Sequence, residues 1–266
     1  MEIKTFIIDA FTDEPFKGNP AGVCLPETAL PVETMQYIAA ELNLSETAFL
    51  LPKDKDHYAI RYFTPTVEVA FCGHATLASA KLLLENAPEI KLTTHHSLQI
   101  TAAKENTHVK MLFPLYDAIE CKVSNELYQA FGITEPVHAA YASELEMLIV
   151  EVADKDALHN IHPDFIAAIK APDKIKELVV TCKSGDEGYD FYSRCFCPWI
   201  GINEDPVTGA SHSVLAKYWG NAFNKSTLTA RQLSKRGGYI NMNMLSGTQM
   251  EVTSNAVIVF KGTMNI

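Results

Sequence analysis

The chain has 266 residues, 47% hydrophobic and 20% charged, with 22 basic against 32 acidic side chains for a net charge of −10. That length can bury roughly three quarters of the unfolded surface without disulfide or metal staples, and the composition is that of a globular chain, not a disordered one. An acidic balance with no basic run argues against phosphate backbones and anionic membranes as partners, so neither nucleic acid nor membrane is expected. No apolar run approaches the length of a membrane span, and Asp9 interrupts the apolar start that a signal peptide would need. Six cysteines without zinc-like spacing point to reduced thiols in the cytoplasm, and Cys195 and Cys197 lie too close for a zinc knuckle, so no metal is expected there. In chain order, 3–11 reads as a buried strand and 17–22 is dense in turn residues. Pro31 opens a helix whose apolar positions Val32, Met35, Ile38, Ala39 and Leu42 share one face. Segments 45–51, 58–63 and 109–115 read as extended. The second half adds helices near 123–131 and 163–170 and strands near 177–181, 189–197 and 256–261. His95 and His96 sit in a hairpin-like connection, and the weak composition break lies around 114–121.

An internal repeat organises this pattern. Arg61-Tyr-Phe63-Thr-Pro65 and Arg194-Cys-Phe196-Cys-Pro198 share the form R-x-F-x-P, and each precedes a glycine that starts an Ala-rich helical stretch, at Gly73 and Gly209. The glycine follows the proline by eight residues in the first copy (65 to 73) and by eleven in the second (198 to 209). Aligned on the glycines, Ala80-Lys81 falls on Ala216-Lys217. The alternative is one α+β domain with two unrelated glycine-started helices. Duplication is the favoured reading, and it predicts two similar α+β lobes, 1–116 and 117–255, with the terminal strand 256–266 returning to the first.

A helix N-terminus presents unpaired N–H groups and the positive end of its dipole, and glycine there lets a ligand approach the backbone. Two related lobes would aim both ends at a shared cleft, a cradle for a small anion built from Gly73 on one side and Gly209, Ala210 and Ser211 on the other. Several polar residues accompany these ends. His74 is either a substrate contact or a histidine satisfied near its helix start. Asp205 is either functional or an Asp-Pro turn former. Glu46, between Ser45 and Thr47, is either an exposed loop carboxylate or a carboxyl in a partly apolar cleft whose pKa rises enough for general acid/base work. Cys72 could be a nucleophile or a thiol base, but buried structural cysteines are commoner.

The strings DAFTDEPFKGNPAGVCL, LSETAFL, RYFTPTVEVAFCGHATLASA and NEDPVTGASH, in that order from Asp9 to His212, resemble the PhzF-like isomerase family of phenazine biosynthesis, whose fold is similar to diaminopimelate epimerase. The resemblance covers nearly the whole chain. It implies two lobes, each a barrel-like, mostly antiparallel sheet around a central helix, a homodimer, and no metal or organic cofactor. It also implies that Glu46 moves a proton within the substrate, that His74 and Asp205 orient the substrate and assist, and that Asn19 lines the site. Gly73 and Gly209 would supply amides for a substrate carboxylate. One departure stands out: where the family continues Ser-Ala-His after DPVTG, this chain reads Ala210-Ser211-His212, moving the hydroxyl by one helical step, about 100°. The related racemases use a thiol at each helix start; here Cys72 aligns with Thr208, so two-thiol racemisation is not expected.

These readings converge on a cofactor-independent isomerase that moves a proton within a small carboxylate-bearing metabolite. An epimerase working through Glu46 with Asp205 or His74 is the alternative enzyme. A non-catalytic protein of the same fold, binding a metabolite or a protein, is the alternative of a different class.

Overall fold

The computed structural model describes residues 1–266 as a mixed α+β chain of two compact units, Met1–Leu112 with Glu251–Ile266, and Phe113–Met250. The segment returning to the first unit therefore begins at Glu251, before the terminal strand itself. No helix is long and apolar enough to cross a membrane.

In the first unit Glu2–Ala10 lies antiparallel between Asn19–Leu25 and the terminal strand Ala256–Asn265. Asn19–Leu25 runs parallel to Glu46–Asp54, which pairs antiparallel with His57–Phe63. That strand carries the two-residue Glu68–Val69 antiparallel and Glu89–Thr94 parallel, and Glu89–Thr94 turns through His95-His96 into antiparallel Gln99–Glu105. The helix Val32–Leu42 covers one side with Met35, Ile38 and Ala39, packed against Ile3, Phe49 and Phe63. On the other lies the helix Gly73–Leu83, buried on nearly every face because Ala and small hydroxyl residues let the strands close around it.

The second unit repeats this plan. Pro136–Ala142 pairs antiparallel with Met147–Val152, which runs parallel to Glu177–Lys183. Glu177–Lys183 pairs antiparallel with Phe191–Cys197, which carries Ile202–Asp205 antiparallel and Thr227–Gln232 parallel. The helices Asn125–Phe131, Lys155–His159 and Phe165–Lys170 cover one side through a core containing Phe131, Leu158, Val180 and Phe196. The central helix here is Gly209–Phe223.

The R-x-F-x-P repeat has a physical meaning in both copies. Arg61 grips Glu68 with two hydrogen bonds of 2.7 Å and lies 5.5 Å over the Phe63 ring. Arg194 grips Glu204 at 2.8 and 3.1 Å and lies 4.8 Å over the Phe196 ring. Each glutamate precedes its helix glycine by five residues (68 to 73, 204 to 209). Only a planar guanidinium can hold both carboxylate oxygens while stacking on an aromatic face. These solvent-accessible clamps do more to fix the path of the chain than to add stability.

One sequence expectation changes. The turn-rich stretch 17–22 is mostly strand, because the reversal is finished by Gly18 and pairing resumes at Asn19. Gly18 has φ +64°, and a Cβ there would stand 2.0 Å from the Ala10 carbonyl oxygen. Gly22 lets its strand lie close to Thr47, whose hydroxyl would be 2.7 Å from an added Cβ. Gly18→Ala therefore combines backbone strain with a backbone clash and is expected to destabilise the protein by roughly 2 kcal/mol or more, measured by urea unfolding.

Candidate active site

Glu46, His74, Cys72, Ser45 and Asn19 meet at the start of the first central helix. Glu46 opens its strand and Ser45 precedes it, Asn19 opens the neighbouring strand, and Cys72 is the residue from which the helix springs. His74 Nε2 lies 3.2 Å from Glu46 Oε2 and 3.3 Å from Ser45 Oγ. Its Nδ1 lies 3.3 Å from Cys72 Sγ and 3.4 Å from Asn19 Nδ2. Nε2–H donates to Glu46, and Cys72 and Asn19 border the ring at Nδ1. Asn19 is fully buried and His74 nearly so.

The electrostatics revise the sequence reading of Glu46. Burial pushes its carboxyl up, but the His74 charge and hydrogen bonds from His74, Ser45 and Cys72 outweigh burial and leave it below its ordinary value. For His74, burial favours the neutral ring. Hydrogen bonds with Cys72 and Glu46, together with the Glu46 charge, reverse this and hold it well above its ordinary value. Burial, then the Glu46 charge, pushes the Cys72 thiol up, so at neutral pH the thiol keeps its proton and Glu46 is the anion beside His74. The site is a carboxylate poised as a base against an imidazole that holds its proton. Glu46, Cys72 and His74 also offer three metal-ligand atoms within 4.8 Å of one another. A cation could use them only by breaking the Glu46–His74 bond and ionising a buried thiol.

The second unit builds a helix start of different chemistry. Asp205, largely buried, accepts a short hydrogen bond from the Thr208 hydroxyl. Gln232 donates to the Asp205 carbonyl at 2.7 Å and accepts the Thr208 N–H at 3.0 Å. Ser234 donates to the Pro206 carbonyl at 2.6 Å. The DPVT turn is thus held from three directions. Thr208 precedes the helix but does not cap it with its side chain, and neither does Cys72 in the first unit. The two starts match in detail: Thr76 donates to the Cys72 carbonyl at 2.6 Å, and His212 Nδ1 donates to the Thr208 carbonyl at 2.7 Å. Burial pushes His212 down to about 4, so it is neutral.

The sequence-selected residues thus fall into two groups. Asn19, Glu46, Gly73 and His74 gather in the first unit, while Asp205, Gly209, Ala210 and Ser211 belong to the second. The Ser211 hydroxyl is fully buried and donates to the Thr208 carbonyl at 2.9 Å, leaving its backbone N–H as its polar group for a ligand; Ala210 is partly exposed. Cys72 and Ser45 were not singled out as members of the Glu46–His74 cluster. Their position directly beside His74 and Glu46 in the chain was the available signal.

Known proteins resemble this chain over nearly its whole length. The family model described as phenazine biosynthesis-like protein matches residues 8–262. The chain belongs to this family. It is 40% identical over 249 residues to an uncharacterized isomerase of Halalkalibacterium halodurans, covering 92% of each chain. Among solved structures, a phenazine biosynthesis PhzF family protein of Enterococcus faecalis matches with a TM-score of 0.92 at 36% identity, over 100% of both chains. A predicted epimerase of Pseudomonas aeruginosa shares the fold, with a TM-score of 0.75 at 20% identity over 99% of both chains. The α+β fold expected from the family resemblance is therefore confirmed.

The coupled pair carries a pH signature. Glu46, lowered on folding, contributes stability that is present above its unfolded value near 4.5 and lost as pH falls through the folded value. His74, raised on folding, contributes stability that is present below 6.5 and lost as pH rises through its folded value. The stability difference between wild type and Glu46→Gln is expected to be largest between pH 4.5 and 6.5, and to shrink on both sides, read by urea unfolding across pH. In the same variant, NMR is expected to find the His74 titration moved downward.

Proposed function

We propose that the protein is an isomerase that moves a proton within a small carboxylate-bearing metabolite, with Glu46 as the proton carrier. The observation that carries this reading is the Glu46–His74 contact of 3.2 Å in a nearly buried setting: a carboxylate kept ionised by its neighbour is a ready base, and once protonated it is an acid with a hydrogen-bonded route back. A binding protein of the same fold has no need of such a pair. The isomerase named among its relatives, in Halalkalibacterium halodurans, supports the same reaction class.

In this mechanism the substrate carboxylate is held by backbone N–H groups at the start of the Gly73 helix, with Asn19 ordering the imidazole of His74. Glu46 takes a proton from carbon, the electron pair shifts into the adjacent π-system, and the proton is returned at another position. His74 stabilises the anionic form of Glu46 before transfer and keeps its carboxyl oriented afterwards. Asp205, locked by Thr208 and Gln232, is assigned to substrate orientation. The reaction as written uses only protein groups and water, and the protein acts as a homodimer in the cytoplasm.

Solvent-deuterium incorporation tests this directly. Amino acids, hydroxy acids and unsaturated carboxylic acids are incubated with the protein in D2O and read by NMR and mass spectrometry. At least one is expected to gain deuterium at carbon. Glu46→Gln is expected to lower that rate by about 10²–10⁴-fold, the usual worth of a general acid/base, while binding survives. His74→Asn and Asp205→Asn are expected to weaken both rate and binding. Exchange at the wild-type rate in Glu46→Gln would refute the assignment.

A further inference from the structure

Proton transfer uses the carboxylate and the imidazole at the start of the Gly73 helix and leaves the thiol beside them without a task. Glu46, Cys72 and His74 each offer one ligand atom, and the three atoms lie within 4.8 Å of one another. All three residues belong to the first unit. Their spacing has a definite shape. His74 Nε2 lies 3.2 Å from Glu46 Oε2 and 3.8 Å from Cys72 Sγ. A tetrahedral zinc ion, bonded to sulfur at about 2.3 Å and to nitrogen and oxygen at about 2.1 Å, sets nitrogen about 3.4 Å from oxygen and about 3.6 Å from sulfur. Two edges of that ligand triangle are therefore in place to within about 0.2 Å. The third edge, from Glu46 to Cys72, is short enough for small side-chain rotations to complete it.

The frame around these atoms is rigid. Glu46 opens a strand that is paired on both sides, with Ala21 opposite Glu46 and Phe63 opposite Thr47. The Cys72 carbonyl accepts the Thr76 hydroxyl at 2.6 Å, which pins the residue from which the helix springs. A ligand histidine usually donates its other ring N–H to a fixed acceptor. Asn19, fully buried, has its amide 3.4 Å from His74 Nδ1, and half a turn of that amide presents oxygen to an Nδ1–H. Ser45 hydrogen-bonds the Glu46 carboxylate. The Glu46 side chain keeps 16% of its surface exposed against 8% for His74, so a cation enters from the carboxylate side.

The donor set selects the cation. Calcium and magnesium take shells made of oxygen atoms, whereas one thiolate, one imidazole and one carboxylate suit zinc and its thiophilic relatives. Three protein ligands leave a fourth tetrahedral position for water or an anion. The charges also balance: Glu46 and an ionised Cys72 carry two negative charges against the two positive charges of the cation.

We propose that Glu46, His74 and Cys72 form a binding site for a thiophilic divalent cation of the zinc class, and that the bound cation shuts off proton transfer by occupying the base. The cation takes the place of the proton between His74 Nε2 and Glu46, and of the proton on the Cys72 sulfur; both protons pass to water. His74 keeps its Nδ1 proton and faces Asn19. The inhibitory half of the proposal rests on the proton-transfer reading of Glu46, while the site itself does not.

Binding and exchange are measured separately. Chelator-treated protein is titrated with Zn2+ by calorimetry, and with Co2+ by visible and near-ultraviolet absorption. One equivalent of Zn2+ is expected to bind, and Co2+ is expected to give the strong visible bands of a tetrahedral site with a thiolate charge-transfer band. Asn19→Ala is expected to weaken binding about 10–100-fold, the usual worth of a residue that orients a ligand, and Cys72→Ser at least about 100-fold. His95→Asn, in the hairpin connection, is expected to leave binding unchanged. Equal affinity in wild type and Cys72→Ser, or loss of binding in His95→Asn, overturns the proposal. If Cys72→Ser does not fold, the cobalt spectrum decides: a wild-type spectrum without the thiolate band, or one that survives unchanged in Glu46→Gln, overturns it. Deuterium exchange into the panel of carboxylic acids is then followed with one equivalent of Zn2+, where a fall of at least about 100-fold, reversed by chelator, is expected. Exchange that continues at the metal-free rate with Zn2+ bound overturns the inhibition. Tight, Cys72-dependent binding in a protein that exchanges no acid sinks the proton-transfer reading and supports the site.

Discussion

Each unit depends on one arginine–glutamate clamp. Arg61 and Arg194 sit on central strands, and each holds a glutamate on the short strand that leads into the central helix. Because that glutamate precedes the helix glycine by five residues, fixing the carboxylate fixes where the helix begins and which side chains surround its first turn. Arg194 adds bonds of 3.1 Å to the carbonyls of Leu158 and Ile161, tying the outer helices to the same point. Lysine could not replace either arginine, because a point charge does not set the plane of a carboxylate. The chemistry at each helix start is thus positioned by a contact that takes no part in it.

The same frame supports two different local chemistries. In the first unit the helix offers His74 and the site becomes an ion pair. In the second it offers Ala210, and the short strand places Asp205 where the first unit has Val69. One difference on the helix and one on the short strand suffice to exchange an imidazole for a carboxyl at the helix start. A duplicated frame can diverge in this way without repacking, since Arg61, Phe63 and Glu68, like Arg194, Phe196 and Glu204, lie on the opposite strand face from the reacting groups.

Much of this was legible in the sequence because it is local or periodic. The glycines at 73 and 209 start their helices as expected, Pro31 precedes the first helix, and the alternating runs become strands. The R-x-F-x-P repeat was visible as a pattern. Its cause was not, because the glutamates that complete the clamps lie at different distances along the chain, seven residues after Arg61 and ten after Arg194. Glu46 was singled out, but its protonation was misjudged: its flanking residues give no sign of His74, which sits 28 positions away along the chain and meets it in the fold. The hydroxyl at Ser211 shows the converse, a residue whose type suggests ligand contact and whose rotamer commits it to the helix.

The strand Ala256–Asn265 sets the two units apart in how they are closed. It pairs with Glu2–Ala10 along its whole length, so the unit containing Glu46 is closed by segments far apart in the chain, whereas Phe113–Met250 is contiguous. Contacts between such distant segments cost more loop-closure entropy than those of a contiguous unit. Loss of 256–265 would strip one partner from Glu2–Ala10 and leave an open sheet edge in the unit that holds Glu46 and His74.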